Sequence, residues 1–189
     1  LQTMPVNDAR KAVGMFKDEY LLDYINVDEM EVDKPEDIDE RVIEKAIVRN
    51  IKKFIMTFGR DFAYIGNQYH LEIFGEELFP DLLFLNRELN CIVVVELKKG
   101  AFKPAYIGQL QTYMKVLDDK VRKPHENPTI GILLCKSANK AFVEYVIRDY
   151  SHPMGVATYK TAEDMSEELR KALPDMDEMR KLLTDDGDN

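Results

Sequence analysis

The chain has 189 residues, 45% of them apolar and 32% charged, with a formal net charge of −9. That length supports one α/β domain with a proper core and some appended helix, and leaves little room for a second full domain. No run of about 18 apolar residues occurs, which argues against a membrane-spanning helix, and Cys91 and Cys135 lie in apolar runs without CxxC spacing, so two buried reduced thiols are expected, with no disulfide and no zinc.

The N-terminus, Leu1 to Asp8, has no basic stretch followed by an apolar one, so the expected location is the cytoplasm. It begins without Met, as a piece cut from a longer protein would. Phe16, Tyr20, Leu21, Tyr24 and Ile25 suit a short amphipathic segment, and the acidic residues 26–40, which include Pro35, read as a linker. The expected organisation is a remnant plus linker over 1–39, a domain over 40–173 and an acidic tail over 174–189.

From Glu40 to Gly59, Ile43, Ile47, Val48, Ile51, Phe54, Ile55 and Phe58 recur at helical spacing, with Gly59 in a C-cap position. Glu44 joins the N-terminal end of this buried stripe, either as a boundary residue favoured by the helix dipole or as a carboxylate aimed at a site. Residues 62–74, 78–85 and 91–98 then read as a three-strand meander joined by short polar turns. Ala105 to Val121 is a helix with Ile107, Leu110, Met114 and Leu117 on one stripe and Tyr106, Gln109 and Tyr113 on another. Thr129 to Cys135 reads as a buried parallel-type strand, Asn139 to Tyr150 as a helix and Met154 to Tyr159 as a strand. A polar helix over 162–172, a weak one over 175–183 and a disordered end complete the expected order.

Charged groups interrupt this apolar pattern at two places. Pro80-Asp81 is followed, after fourteen residues, by Glu96-Leu97-Lys98 inside the run that starts Cys91-Ile92-Val93-Val94-Val95. An ionised side chain among β-branched neighbours loses hydration and is tolerated mainly when paired or bound to a cation. Strand alternation places Glu96 and Lys98 on one face and Leu97 on the other. Asp81 and Glu96 on adjacent antiparallel strands can converge on one hard cation such as Mg²⁺ (or Mn²⁺), with the Leu97 backbone carbonyl as a further oxygen. Lys98 can hold the attacking water and offset charge on phosphorus. The pattern alone is loose; its placement on apolar strands in the order α, β, β, β, α, β is what makes it specific.

The charge map supports an anionic partner. Residues 1–40 carry 4 basic and 12 acidic side chains, residues 41–160 carry 18 and 13, and residues 161–189 carry 4 and 10. The middle segment is therefore basic, with clusters at Lys98, Lys99, Lys103, at Lys115, Lys120, Arg122, Lys123, and at Lys136, Lys140.

The element order resembles the core of the PD-(D/E)xK nuclease superfamily over residues 40 to about 160, a mixed α/β (α+β) restriction-endonuclease-like fold. More closely, Tyr69-His70-Leu71-Glu72, Phe79-Pro80-Asp81-Leu82-Leu83-Phe84, Val95-Glu96-Leu97-Lys98, Phe102-Lys103-Pro104, Gly108-Gln109-Leu110, Asn127-Pro128-Thr129-Ile130-Gly131 and Leu134-Cys135-Lys136-Ser137 resemble the YhcG family. That resemblance implies a C-terminal nuclease domain behind an N-terminal helical domain, which would be its partner in the parent protein. It implies a Mg²⁺-dependent endodeoxyribonuclease with Asp81, Glu96 and Lys98 at the metal and catalytic positions, and with Gln109 positioning water or phosphate. Lys99, Lys103, Tyr113 and Lys136 are the expected contacts to DNA. Glu72 is either a second metal ligand or a polar-face residue, and His70 reads as a surface histidine. A non-catalytic interaction module is the alternative, and apolar positions Phe102, Tyr106, Phe142 and Tyr145 suit a homodimer contact.

Overall fold

A computed structural model of the chain describes residues 19–22, 40–59 and 61–161. Six strands form one sheet in the order β1-β8-β7-β6-β5-β2, where β1 is Glu19–Leu22, β2 Phe62–Asn67, β5 Leu82–Asn86, β6 Cys91–Ala101, β7 Asn127–Ser137 and β8 Met154–Thr161. The β2, β5 and β6 strands run antiparallel as a meander, and β6, β7, β8 and β1 run parallel. Between β2 and β5 a separate hairpin is inserted, made of β3 (Leu71–Ile73) and β4 (Glu76–Leu78). The fold is thus a mixed α/β sheet of the PD-(D/E)xK kind, and from residue 40 onward the expected order holds apart from the inserted hairpin and a break in the first helix. The helix and tail expected beyond residue 161 lie outside the described residues. No helix among the described residues is long and apolar enough to cross a membrane.

Alternation along β6 divides the core in two. Val93, Val95 and Leu97 face helices α1 (Glu40–Arg49) and α2 (Ile51–Phe58), in a cluster that includes Ile47, Phe54, Phe58 and Phe84. Ile92 and Val94 face α3 (Ala105–Lys120), whose Ile107, Leu110, Met114 and Leu117 stripe is fully buried as the spacing predicts, with Val143 of α4 (Lys140–Ile147) in the same cluster. Parallel strands covered on both faces need apolar residues at every position, and β7 supplies them from Ile130 to Cys135. Both cysteines are buried and free, and burial pushes the Cys91 thiol up to about 12 and the Cys135 thiol to about 11, which disfavours the thiolate at both.

Two expectations are corrected. The helix over 40–59 is broken at Asn50, whose side-chain amide donates to the Ala46 carbonyl at 3.0 Å and competes with the helical ladder. The strand expected over 62–74 ends at Asn67, because Gln68 adopts a left-handed φ of 44° and turns the chain into the hairpin. The segment around Tyr20 is built into the sheet: Glu19–Leu22 pairs with β8, and Tyr20 and Leu22 are fully buried, with Tyr20 against Phe58 at 5.1 Å. Residues on the N-terminal side of the expected boundary at 40 therefore build part of the same sheet.

The α3 helix crosses β7 closely at Gly131. A methyl group there would meet Met114 Sδ at 2.5 Å and Leu110 Cγ at 2.9 Å. Gly131→Ala is expected to destabilise the fold by about 1–3 kcal/mol through overpacking, read as a lower denaturant midpoint at unchanged m-value.

Candidate active site

The site lies where β6 outruns β5. Leu82 pairs with Val95 at the start of β5, and β6 continues from Glu96 to Ala101 with β7 on its other side. Continuing the β5–β6 register sets Asp81 opposite Glu96 and Pro80 opposite Leu97. Proline has no N–H to give, so the Leu97 carbonyl receives no ladder bond from it. The Leu97 N–H goes instead to Asp81 Oδ2 at 2.8 Å, and the Asp81 N–H goes to Glu96 Oε1 at 2.8 Å. The sequence Pro-Asp at a strand start thus ends the ladder, frees a carbonyl on that side and locks two carboxylates beside it.

Lys98, two positions after Glu96 on the same face, donates from Nζ to Gln109 Oε1 at 3.0 Å and lies 4.6 Å from the Tyr106 ring centre. Gln109 is held in turn by Nε2 donation to the Tyr113 hydroxyl at 3.1 Å. Gln109 and Tyr113, one helical turn apart on α3, therefore fix the ammonium group beside the carboxylates. Opposite them, Gln68 Nε2 donates both to Asp81 Oδ1 at 2.9 Å and to Glu44 Oε2 at 2.6 Å. Glu44 also accepts from Asn67 Nδ2 at 3.3 Å.

These groups border a cleft of about 350 Å³, lined by Asp81, Glu96, Leu97, Lys98, Gln109 and Tyr113 on one side and by Arg41, Gln68, Glu77 and Phe79 among others. Burial raises Glu96 to about 9, with the neighbouring Asp81 charge as the next cause. Burial raises Asp81 and Glu44 as well. Three carboxyl groups are thus held where ionisation is disfavoured, and a cation would relieve that cost. Among the described residues no three His, Cys, Asp or Glu side chains form a ready ligand cluster. The donor set fits a hard cation that keeps much of its water: Asp81, Glu96 and the Leu97 carbonyl, with Glu44 one amide away behind Gln68.

The sequence profile of the YhcG PDDEXK nuclease domain matches residues 13–174. The chain belongs to that family. YhcG of Escherichia coli (strain K12) is 28% identical over 144 residues, covering 76% of this chain and 36% of its own length, so the chain spans about a third of that relative. Among solved structures, a repair endonuclease from Pyrococcus abyssi shares 17% identity at a TM-score of 0.41, over 70% of this chain and 48% of its own. An EndoMS–dsDNA complex shares 16% identity at a TM-score of 0.44, over 75% and 51%.

Within this nuclease-family domain the structure brings Asp81, Glu96, Lys98, Gln109 and Tyr113 together around the cleft. Tyr113 is 7% exposed and lines the cleft. Glu72 does not join them. It sits on β3 opposite Glu77, exposed, with its carboxylate accepting the Gly75 N–H at 3.3 Å, because the hairpin carries it off the sheet. Lys99 and Lys103 are exposed on the strand end and the following loop, and Lys136 lies with Nζ 5.4 Å from the Tyr159 ring. Gln68 escaped the sequence reading. Its role follows from a backbone turn, and the polar run Gly66-Asn67-Gln68 inside an alternating strand was the available signal.

Proposed function

We propose that the domain is a divalent-metal-dependent endonuclease that hydrolyses DNA phosphodiester bonds, leaving a 5′-phosphate and a 3′-hydroxyl. The observation that carries this reading is the reciprocal backbone clamp on Asp81 and Glu96, which holds two desolvated carboxylates beside the Leu97 carbonyl and the Lys98 ammonium. Bound by Asp81, Glu96 and the Leu97 carbonyl, Mg²⁺ or Mn²⁺ would polarise the phosphate and make its water acidic. Lys98 Nζ, held by Gln109, orients the attacking water and offers positive charge to the phosphoryl oxygens as they gain charge. Gln109 and Tyr113 keep that ammonium from swinging into solvent. Glu44, through Gln68, sets the rotamer of Asp81. Lys99, Lys103 and Lys136 take up flanking phosphates.

Supercoiled plasmid incubated with the chain is expected to be nicked in Mg²⁺ or Mn²⁺, and left intact with EDTA or with Asp81→Ala. Calorimetric titration with Mg²⁺ gives a second readout, with binding in the parent and loss in Asp81→Ala. Nicking by Asp81→Ala at the parent's rate would sink the assignment.

A further inference from the structure

We infer that Phe79 and the β3–β4 hairpin form a stacking subsite for an unpaired nucleobase, so that the preferred substrate is a strand leaving a duplex. The inference rests on the nuclease reading of the cleft and concerns the side of it that the catalytic groups do not use.

Phe79 lines the cleft together with Leu78 and Glu77 and remains 45% exposed. His70 stacks against it, with ring centres 5.1 Å apart and planes 25° from parallel. His70 is itself steadied by Glu77, 3.4 Å from its Nε2. The result is a stacked pair of rings, both partly exposed, immediately before Pro80-Asp81. At the hairpin tip Phe74 is 97% exposed at a φ of 51°, next to Gly75 at 82°. Two successive left-handed residues suit Asn-Gly far better than Phe-Gly, so neither local conformation nor burial accounts for an aromatic ring there.

Charge decides what can lie on this wall. Residues 71–79 contain Glu72, Glu76 and Glu77 and no basic side chain, and all three carboxylates are exposed. A phosphate backbone tracking along them would be repelled. The cations that line the cleft, Arg41 and Lys98, come from α1 and β6. A strand can therefore keep its phosphates toward Arg41 and Lys98 and turn an uncharged base face to Phe79. A base inside a duplex has both faces covered by the neighbouring base pairs, whereas an unpaired, unstacked one can lie on an aromatic ring irrespective of its identity.

The test uses DNA with 2-aminopurine in a single-stranded overhang next to a duplex, and the same sequence fully paired, titrated with the chain in Ca²⁺ and in EDTA. The parent and Phe79→Tyr are expected to quench the overhang fluorescence on binding. Phe79→Ala is expected to lose the quenching and bind the overhang about tenfold more weakly, with duplex binding changed less than about twofold. Phe74→Ala, at a ring open to solvent, is expected to weaken overhang binding in the same direction. Equal quenching by the parent and Phe79→Ala, or parent affinity for the paired duplex as high as for the overhang, would overturn the inference. Fluorescence and affinity are read without cleavage, so a failure here leaves the plasmid result standing, and a failure to nick leaves this one standing.

Discussion

Glu96→Gln is expected to lower cleavage by about 10²-fold or more while raising the thermal midpoint of the metal-free protein. Both effects have one cause. Glu96 is 3% exposed, and burial followed by the Asp81 charge raises it to about 9 from an ordinary 4.5. The folded protein without metal therefore holds a proton there that the unfolded chain releases. For a group raised in this way, its contribution to stability is fully present below about 4.5 and is lost as pH rises toward about 9. Metal-free melts at pH 5, 7 and 9 should show a falling midpoint across that interval. Adding Mg²⁺ should restore most of the loss at the high end, because the cation replaces the proton as the partner of the carboxylate. Glutamine keeps an oxygen to accept the Asp81 N–H, which now stands at 2.8 Å, so the strand end is preserved while the ionisation is removed. The variant should show a flatter pH profile, a smaller Mg²⁺ effect and little nicking. A Glu96→Gln midpoint with the parent's pH slope would place the titration elsewhere in the molecule.

That coupling of instability to function explains which parts of the site were legible in the sequence. Asp81, Glu96 and Lys98 announced themselves as charges in an apolar run, since only a paired or cation-bound role makes such burial tolerable. The α3 stripe and the continuous apolar β7 were readable from period alone, because one helix face and two covered sheet faces each leave a distinct pattern. Gln68 was not readable in this way. Its place between Glu44 and Asp81 depends on a left-handed φ of 44°, which glutamine does not favour and which the surrounding hairpin imposes. The choice between the two readings of Glu72 was not legible for the complementary reason: residues 62–74 alternate well enough for one strand, and the break comes with tertiary pairing of Gln68 and Tyr69 with the Asp81 and Pro80 carbonyls. The edge strand at Glu19–Leu22 was also hidden, because its partner Thr158–Thr161 lies far along the chain and a four-residue strand carries little periodic signal of its own.

Lys98→Ala separates catalysis from metal binding within the same cluster. Its expected effect is a fall in cleavage rate at saturating DNA of about 10²–10³-fold, with the fold intact, since the side chain is only half-buried and its hydrogen-bond partner Gln109 lines the cleft. Removing the ammonium disfavours ionisation of Asp81 and Glu96 in the metal-free protein but also takes away a cation that would repel Mg²⁺, so Mg²⁺ should bind about as tightly as in the parent at a pH where the bound metal displaces the protons. Calorimetry and plasmid nicking should therefore diverge in this variant, whereas in Asp81→Ala they fail together. Lys98→Arg is expected to recover only part of the rate: a planar guanidinium keeps the charge but spreads it over a fork that cannot approach a single water and Gln109 Oε1 as a compact ammonium does. If Lys98→Ala lost Mg²⁺ binding and cleavage in parallel, the lysine would be supporting the ligand geometry and its proposed contact with the reacting phosphate would be wrong.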